Sequence, residues 1–359
     1  MPIPVRNDAD LLTAVPYLLG FRPRSSLVIV SLRAGLVSHL TRLDLPLSDD
    51  FRRSWLATAL GLAVRHTPDA VCLIGFDAAE RCGPLLRGLA SRLRLRALPV
   101  AALLVVDAES WRHLEPGPCA VCPGAGHPPP ENQALAVAAE FVIRGFSPFA
   151  SRSALADSLA PDQDYLNRLT ATTPDATSGR GHSAASVGRA EGAWRALLDL
   201  DDRWDPEPEH LLVLAVSLAD ADWRDALIAQ LVPGLVPVQE LAAHHVRRAE
   251  QIVRYAAGSR LRTPRAWGDG TPARAEFHRA LADRVCLLAR RTPGRLAAGP
   301  YAMLAVLTGC WGDGATAALA AEYALRADPD HVLATLVLRL YARGRSLASP
   351  DRLISRTVG

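Results

Sequence analysis

Three short runs of almost unbroken apolar residues constrain this chain more than any other feature: Ser26–Leu32 (SLVIVSL), Ala70–Phe76 (AVCLIGF) and Val100–Val106 (VAALLVV). Each has the length of a strand, and Ser26–Leu32, β-branched and continuously apolar, reads as a central strand covered on both faces. Between them the period changes. Asp49–His66 carries Phe51, Trp55, Ala59 and Leu62 at helical spacing, and Pro84–Leu95 reads as a second helix. Arg33-Ala34-Gly35 is a tight turn into Val37–Leu45, the hairpin partner of the first strand. Strand, helix, strand, helix, strand with short links predicts a three-layer α/β unit whose sheet is mixed and mainly parallel. A short helix, Asp8–Val15, precedes it, capped by Asn7 or Asp8 and disturbed by Pro16, with Gly20 as its left-handed exit.

Beyond Val106 the pattern turns helical. Glu115–Pro130 is rich in Pro, Gly and Cys and must be loop, and helices are expected over Glu131–Arg144, Ser151–Leu159 and Pro161–Thr173. The polar stretch around 174–183 is the best linker, and nearly every later segment has helical spacing. The expected organisation is therefore an α/β domain with trailing helices over 1–173, a linker at 174–183, an all-helical domain over 184–344 and a flexible tail at 345–359. Leu296–Trp311, Ala315–Ala327 and His331–Ala342 are separated by Gly312-Asp313-Gly314 and Asp328-Pro329-Asp330 turns. They resemble a tetratricopeptide-type helix pair, although one unit is legible where about three are needed. An ordinary antiparallel hairpin fits equally.

The chain has 359 residues, enough for two cores, and its 40 basic side chains are all arginine. Without lysine there is no Walker-type phosphate loop, no pyridoxal phosphate or aldolase Schiff base, and no S-x-x-K serine chemistry. A net charge of only +3 gives no warrant for nucleic-acid binding. No apolar run approaches the roughly 18 residues of a membrane span and no signal segment opens the chain, so a cytoplasmic protein with no membrane partner is expected.

His113, Cys119, Cys122 and His127 form H-x5-C-x2-C-x4-H. Two thiolates and two imidazoles can close a tetrahedral zinc site, though a usual site draws its second pair from another element. The alternative is a plain loop. Redox use of the pair is disfavoured, because Pro123, Gly124 and Pro128 prevent a helix from starting promptly behind it. Cys72, Cys286 and Cys310 read as small core residues. Ligands of α/β sheets gather beyond the carboxyl ends of the strands, which here carry Arg33, Asp77 and Asp107. Arg33 can hold an anion, and Asp107 with Glu109 can bind metal or act as acid and base, or all can be solvated loop charges. Arg42 and Asp44 share one strand face and can form an ion pair or line a groove. No dinucleotide fingerprint, nucleophile elbow or H-E-x-x-H helix is present, and His244-His245 makes a poor chelate.

Asp10 through Pro23 (DLLTAVPYLLGFRP), running into Ser26–Val30, resembles the DUF4192 family, an actinobacterial domain family of unknown function. So do Arg42–Pro46, Ile74-Gly75-Phe76, Asp107 with Trp111, and Gly312-Asp313-Gly314 through Asp328-Pro329. Ser25 and the cysteine spacing after Trp111 depart from the family pattern. The resemblance implies a bacterial cytoplasmic protein and carries no activity with it. Together these features lead to the expectation of a non-enzymatic binding or regulatory protein, with an α/β ligand pocket and a helical domain that docks a protein partner. The alternative is a hydrolase or transferase using Asp77 and Asp107, assisted by a metal.

Overall fold

The computed structural model describes residues 3–115, 126–143, 146–172, 184–200, 203–257, 272–343, 347 and 354–356. They divide into two compact units, 1–154 with 350–359, and 155–349.

The first unit runs β1 (Ile3–Val5), α1 (Asp8–Leu19), β2 (Ser26–Arg33), β3 (Leu36–Asp44), a 3₁₀ turn, α2 (Arg52–Val64), β4 (Ala70–Phe76), α3 (Ala79–Arg94), β5 (Val100–Val106), β6 (Trp111–His113), α4 (Pro130–Gln133) and α5 (Leu135–Ile143). One strand from the far end of the chain, β7 (Ile354–Arg356), joins it from within the segment expected to be a flexible tail. The sheet order is β1-β7-β3-β2-β4-β5-β6.

The sheet is mixed, but it is not mainly parallel. Among the described residues, β4 with β5 and β1 with β7 pair parallel, whereas β2 is antiparallel to both β3 and β4, β6 to β5 and β7 to β3. The cause lies in the crossover. Helix α2 carries the chain from β3 past β2, so β4 runs in the direction of β3 and meets β2 head to tail. The β2–β3 hairpin closes over Ala34 (φ 49) and Gly35 (φ 74), both left-handed, the geometry that suits the right-handed twist of the flanking strands.

Alternation along the central strands separates the two faces. Leu27, Ile29, Leu73, Leu103 and Val105 pack with Trp55, Leu56, Leu86 and Leu89 of α2 and α3. Burying each such side chain contributes about 1.5–3 kcal/mol. The intervening Val28, Ile74 and Leu104 are equally buried on the opposite face. His113 is in register with Leu104 and bonds Asp8, which puts α1 over that second face. Helix α1 starts at Asn7, whose side chain accepts the Asp10 N–H at 2.9 Å, and ends at Gly20 with φ 75. It continues through Pro16 to Leu19, because buried Leu11, Leu12, Val15 and Leu19 outweigh the single hydrogen bond that proline removes.

The described elements of the second unit are helices: α6 (Arg152–Leu159), whose first turn belongs to the first unit, α7 (Gln163–Thr172), α8 (Ala184–Leu198), α9 (Pro208–Ser217), α10 (Ala221–Leu231), α11 (Ala243–Ala257), α12 (Pro272–Arg290), α13 (Ala298–Cys310), α14 (Gly314–Ala327) and α15 (Val332–Ala342). The two units divide near residue 154, and the expected linker at 174–183 lies outside the described residues. Hydrogen bonds tie the residues just after 154 into the helical unit. The Tyr301 hydroxyl donates to Leu159 O at 2.6 Å, Tyr323 to Ala156 O at 3.1 Å and Arg290 Nε to Ala160 O at 2.8 Å. Asp313 and His331 cap α14 and α15 at the two turns where the sequence predicts breaks.

Candidate functional site

The antiparallel setting of β2 separates the three strand-end residues. Ser26 pairs with Phe76 and Leu32 with Ala70, so Arg33 emerges, exposed, at the opposite end of the sheet from Asp77 and Asp107. It cannot share a ligand with them. Asp77 and Asp107 do follow neighbouring parallel strands, where Phe76 is in register with Val106.

Both carboxylates are engaged locally. Asp77 accepts from the Ser25 hydroxyl at 2.9 Å, from Arg81 Nη1 at 2.7 Å and from its neighbour's Ala78 N–H at 2.8 Å. Ser25 makes its bond from a left-handed backbone, φ 43. Asp107 closes an Asx turn, accepting the N–H groups of Glu109 at 3.0 Å and Ser110 at 2.7 Å, with Arg112 at 3.5 Å. Burial works to raise its pKa, but those N–H groups, the Ser110 hydroxyl and the Arg112 guanidinium outweigh it and hold the carboxyl below its ordinary value. A carboxylate held in this way is a turn anchor and a poor general base. Arg42 and Asp44 form the expected ion pair, and Arg42 also donates to the Ser26 hydroxyl.

A different cluster lines a concave feature of this unit. A cleft of about 320 Å³ is lined by Asn7, Asp8, Ala9, Trp111, His113, His127 and Gln133. Strand β6 supplies Trp111 and His113, which share a face because they are two residues apart. His127 stands beside them on an isolated antiparallel bridge, its N–H donating to Trp111 O at 2.8 Å and its carbonyl accepting the Trp111 N–H at 3.0 Å. Gly126 precedes it at φ 80, where an added Cβ would lie 2.9 Å from the Ser110 hydroxyl. The Trp111 and His127 rings stack at 4.3 Å, and Trp111 Nε1 donates to Gln133 Oε1 at 3.3 Å.

His113 and Asp8 form the most enclosed pair in the cleft. Nε2 of His113 lies 2.9 Å from Oδ2 of Asp8, and the side chains are only 5% and 7% exposed. A carboxylate only accepts, so Nε2 is the donor of this bond. The His113 and His127 rings meet edge to face with centroids 6.5 Å apart. Two of the four sequence-predicted metal ligands therefore do converge, from a strand and from the bridge beside it. Cys119 and Cys122 lie outside the described residues, and among the described residues no three His, Cys, Asp or Glu side chains are arranged to hold a metal ion.

Sequence reasoning missed Asp8, Trp111 and Gln133 as parts of one site. Asp8 reads as a candidate cap of the first helix, and only its depth betrays it. The spacing of Trp111 and His113 was the usable signal. Elsewhere, burial pushes the thiols of Cys82 and Cys310 up to about 12 and Cys286 to about 11, so these three are packing residues without nucleophilic character. His244 and His245, expected to diverge, have ring centroids 4.0 Å apart, and His245 also approaches Asp220 at 3.6 Å. No helix among the described residues is long and apolar enough to cross a membrane.

No curated protein and no solved structure matches this chain. The model of the family described as a domain of unknown function, DUF4192, matches residues 9–284 and 273–346, which together cover most of both units and include the Gly312-Asp313-Gly314 turn. The chain belongs to the DUF4192 family.

Proposed function

We propose that the protein is a binding or regulatory module, not an enzyme, whose α/β unit holds its ligand in the Asp8–His113 cleft and whose helical unit docks a protein partner. The convergence of His113 and His127 on one cleft, with Asp8 bonded to His113, carries the reading. A carboxylate on the far nitrogen of an imidazole fixes its tautomer and raises its basicity, the arrangement that supports metal-bound histidines. The sequence adds Cys119 and Cys122 between the two histidines, and with them the ligand is a zinc ion. The local engagement of Asp77 and Asp107 weighs against a hydrolase or transferase built on those two acids. On the helical side, Val332 (71% exposed) and Leu336 (49% exposed) lie one turn apart on α15, next to the pair α13 and α14, and give a tetratricopeptide-like docking face its apolar centre.

Native mass spectrometry and elemental analysis of freshly purified protein test this. The expected result is about one zinc per chain, lost in Cys119→Ser and Cys122→Ser, with affinity about 10- to 100-fold weaker in Asp8→Asn. Metal-free protein whose melting does not respond to added zinc overturns it.

A further inference from the structure

The last strand of the sheet is out of place in the chain. β7 belongs to the C-terminal segment, yet it lies between β1 and β3, with Ile354, Ser355 and Arg356 in register with Ile3, Pro4 and Val5, and Ser355 also opposite Leu36. Among the described residues, β7 is the strand neighbour through which β1 joins the sheet. What β1 delivers is the cleft. Val5 is fully buried, and the next three residues are Arg6, Asn7 and Asp8. The Arg6 N–H donates to Asp10 at 2.9 Å, and Asn7 caps α1. Asn7 and Asp8 line the cleft, and Asp8 holds His113.

We infer that β7 is a strap: its docking fixes β1, and through β1 it fixes the first turn of α1 and the Asp8–His113 pair, so that release of the C-terminal strand opens the cleft. The rest of α1 is anchored independently, since Leu11, Leu12 and Val15 are buried. The effect is therefore local, confined to residues 3–10 and to what Asp8 touches. The releasing agent would be a protease that clips the C-terminal segment, or a protein that takes residues 354–356 into a strand pairing of its own. The strap concerns the same cleft as the proposed function but does not need zinc, so it is tested on protein stripped of metal with a chelator.

The test compares the full chain with a chain lacking residues 350–359, reading hydrogen exchange and the rate at which diethyl pyrocarbonate modifies His113. In the shortened chain, exchange over residues 3–10 is expected to accelerate about tenfold or more, while peptides from β2 and β4 keep their protection. His113, now 5% exposed, is expected to react about fivefold faster or more. Unchanged exchange at 3–10, or unchanged His113 reactivity, overturns the inference. If deletion unfolds the whole unit, Ser355→Pro decides: it removes one strand N–H and leaves the rest of the chain intact. Local loss at 3–10 supports the strap, and full protection there sinks it.

Discussion

His39 on β3 and His66 beyond α2 stack with ring centroids 4.1 Å apart, and His66 Nε2 is buried with no hydrogen-bond partner. Burial, and then the neighbouring His66 ring, lower the pKa of His39 from 6.5 to about 4. In the unfolded chain His39 takes a proton near 6.5, and in the folded chain only near 4. Between those values the unfolded state binds more protons, so stability is complete above pH 6.5 and falls as the pH drops toward 4. Allowing for its residual exposure, the loss is on the order of 2–3 kcal/mol. Urea unfolding at pH 7.5 and pH 4.5 should show the difference, and His39→Gln should remove most of it. A variant as pH-sensitive as the parent would place the effect elsewhere. The same residue-level view explains what was legible in the site. The spacing of His113 and His127 is visible in the sequence because both flank the cysteine pair. The closeness of His113 to Asp8 is not, since a contact across 105 positions depends on how the sheet is ordered.

Among the elements, β4 and α3 come into close contact at Gly75. A Cβ there would stand 2.8 Å from both Cβ and Sγ of Cys82 and 3.3 Å from Leu86 Cδ2. Cys82 and Leu86 are fully buried and have nowhere to retreat. Gly75→Ala should therefore destabilise the first unit by about 1–3 kcal/mol, read as a lower urea midpoint with an unchanged slope. A neutral effect would mean that α3 can lift off the strand. The elements themselves were unevenly legible. β4 and β5 appear in the sequence with the bounds they have in the fold, because an apolar run between polar turns has one reading. Helix α3 begins at Ala79, so the predicted start, Pro84, lies inside it, where the proline removes one bond of the helix ladder. β1, β6 and β7 are three residues each, too short for any period to register. The direction of pairing was hidden for a different reason: nothing local tells β4 which edge of β2 it will join.

At the scale of the whole molecule, the position of the unit boundary is a physical claim. Residues 155–172 belong with the helical unit because Leu155, Leu159 and Leu169 are buried to within 5% of full coverage. Asp162 adds a bond to Arg291 at 3.1 Å, and its carboxyl is held below its ordinary pKa by the Tyr165 N–H and by Arg291, against a weaker contribution from burial. Starting a fragment at the polar stretch, at residue 184, discards three buried leucines at about 1.5–3 kcal/mol each. It also strips the buried Tyr301 hydroxyl of its acceptor, at about 1–3 kcal/mol. A loss of that size is comparable with the whole stability of an ordinary domain. Residues 151–349 expressed alone should therefore melt cooperatively by circular dichroism. Residues 184–349 should melt roughly 10–20 °C lower or show no transition. Equal melting of the two fragments would return the boundary to the linker that the composition suggests, and would make α6 and α7 passengers of the sheet.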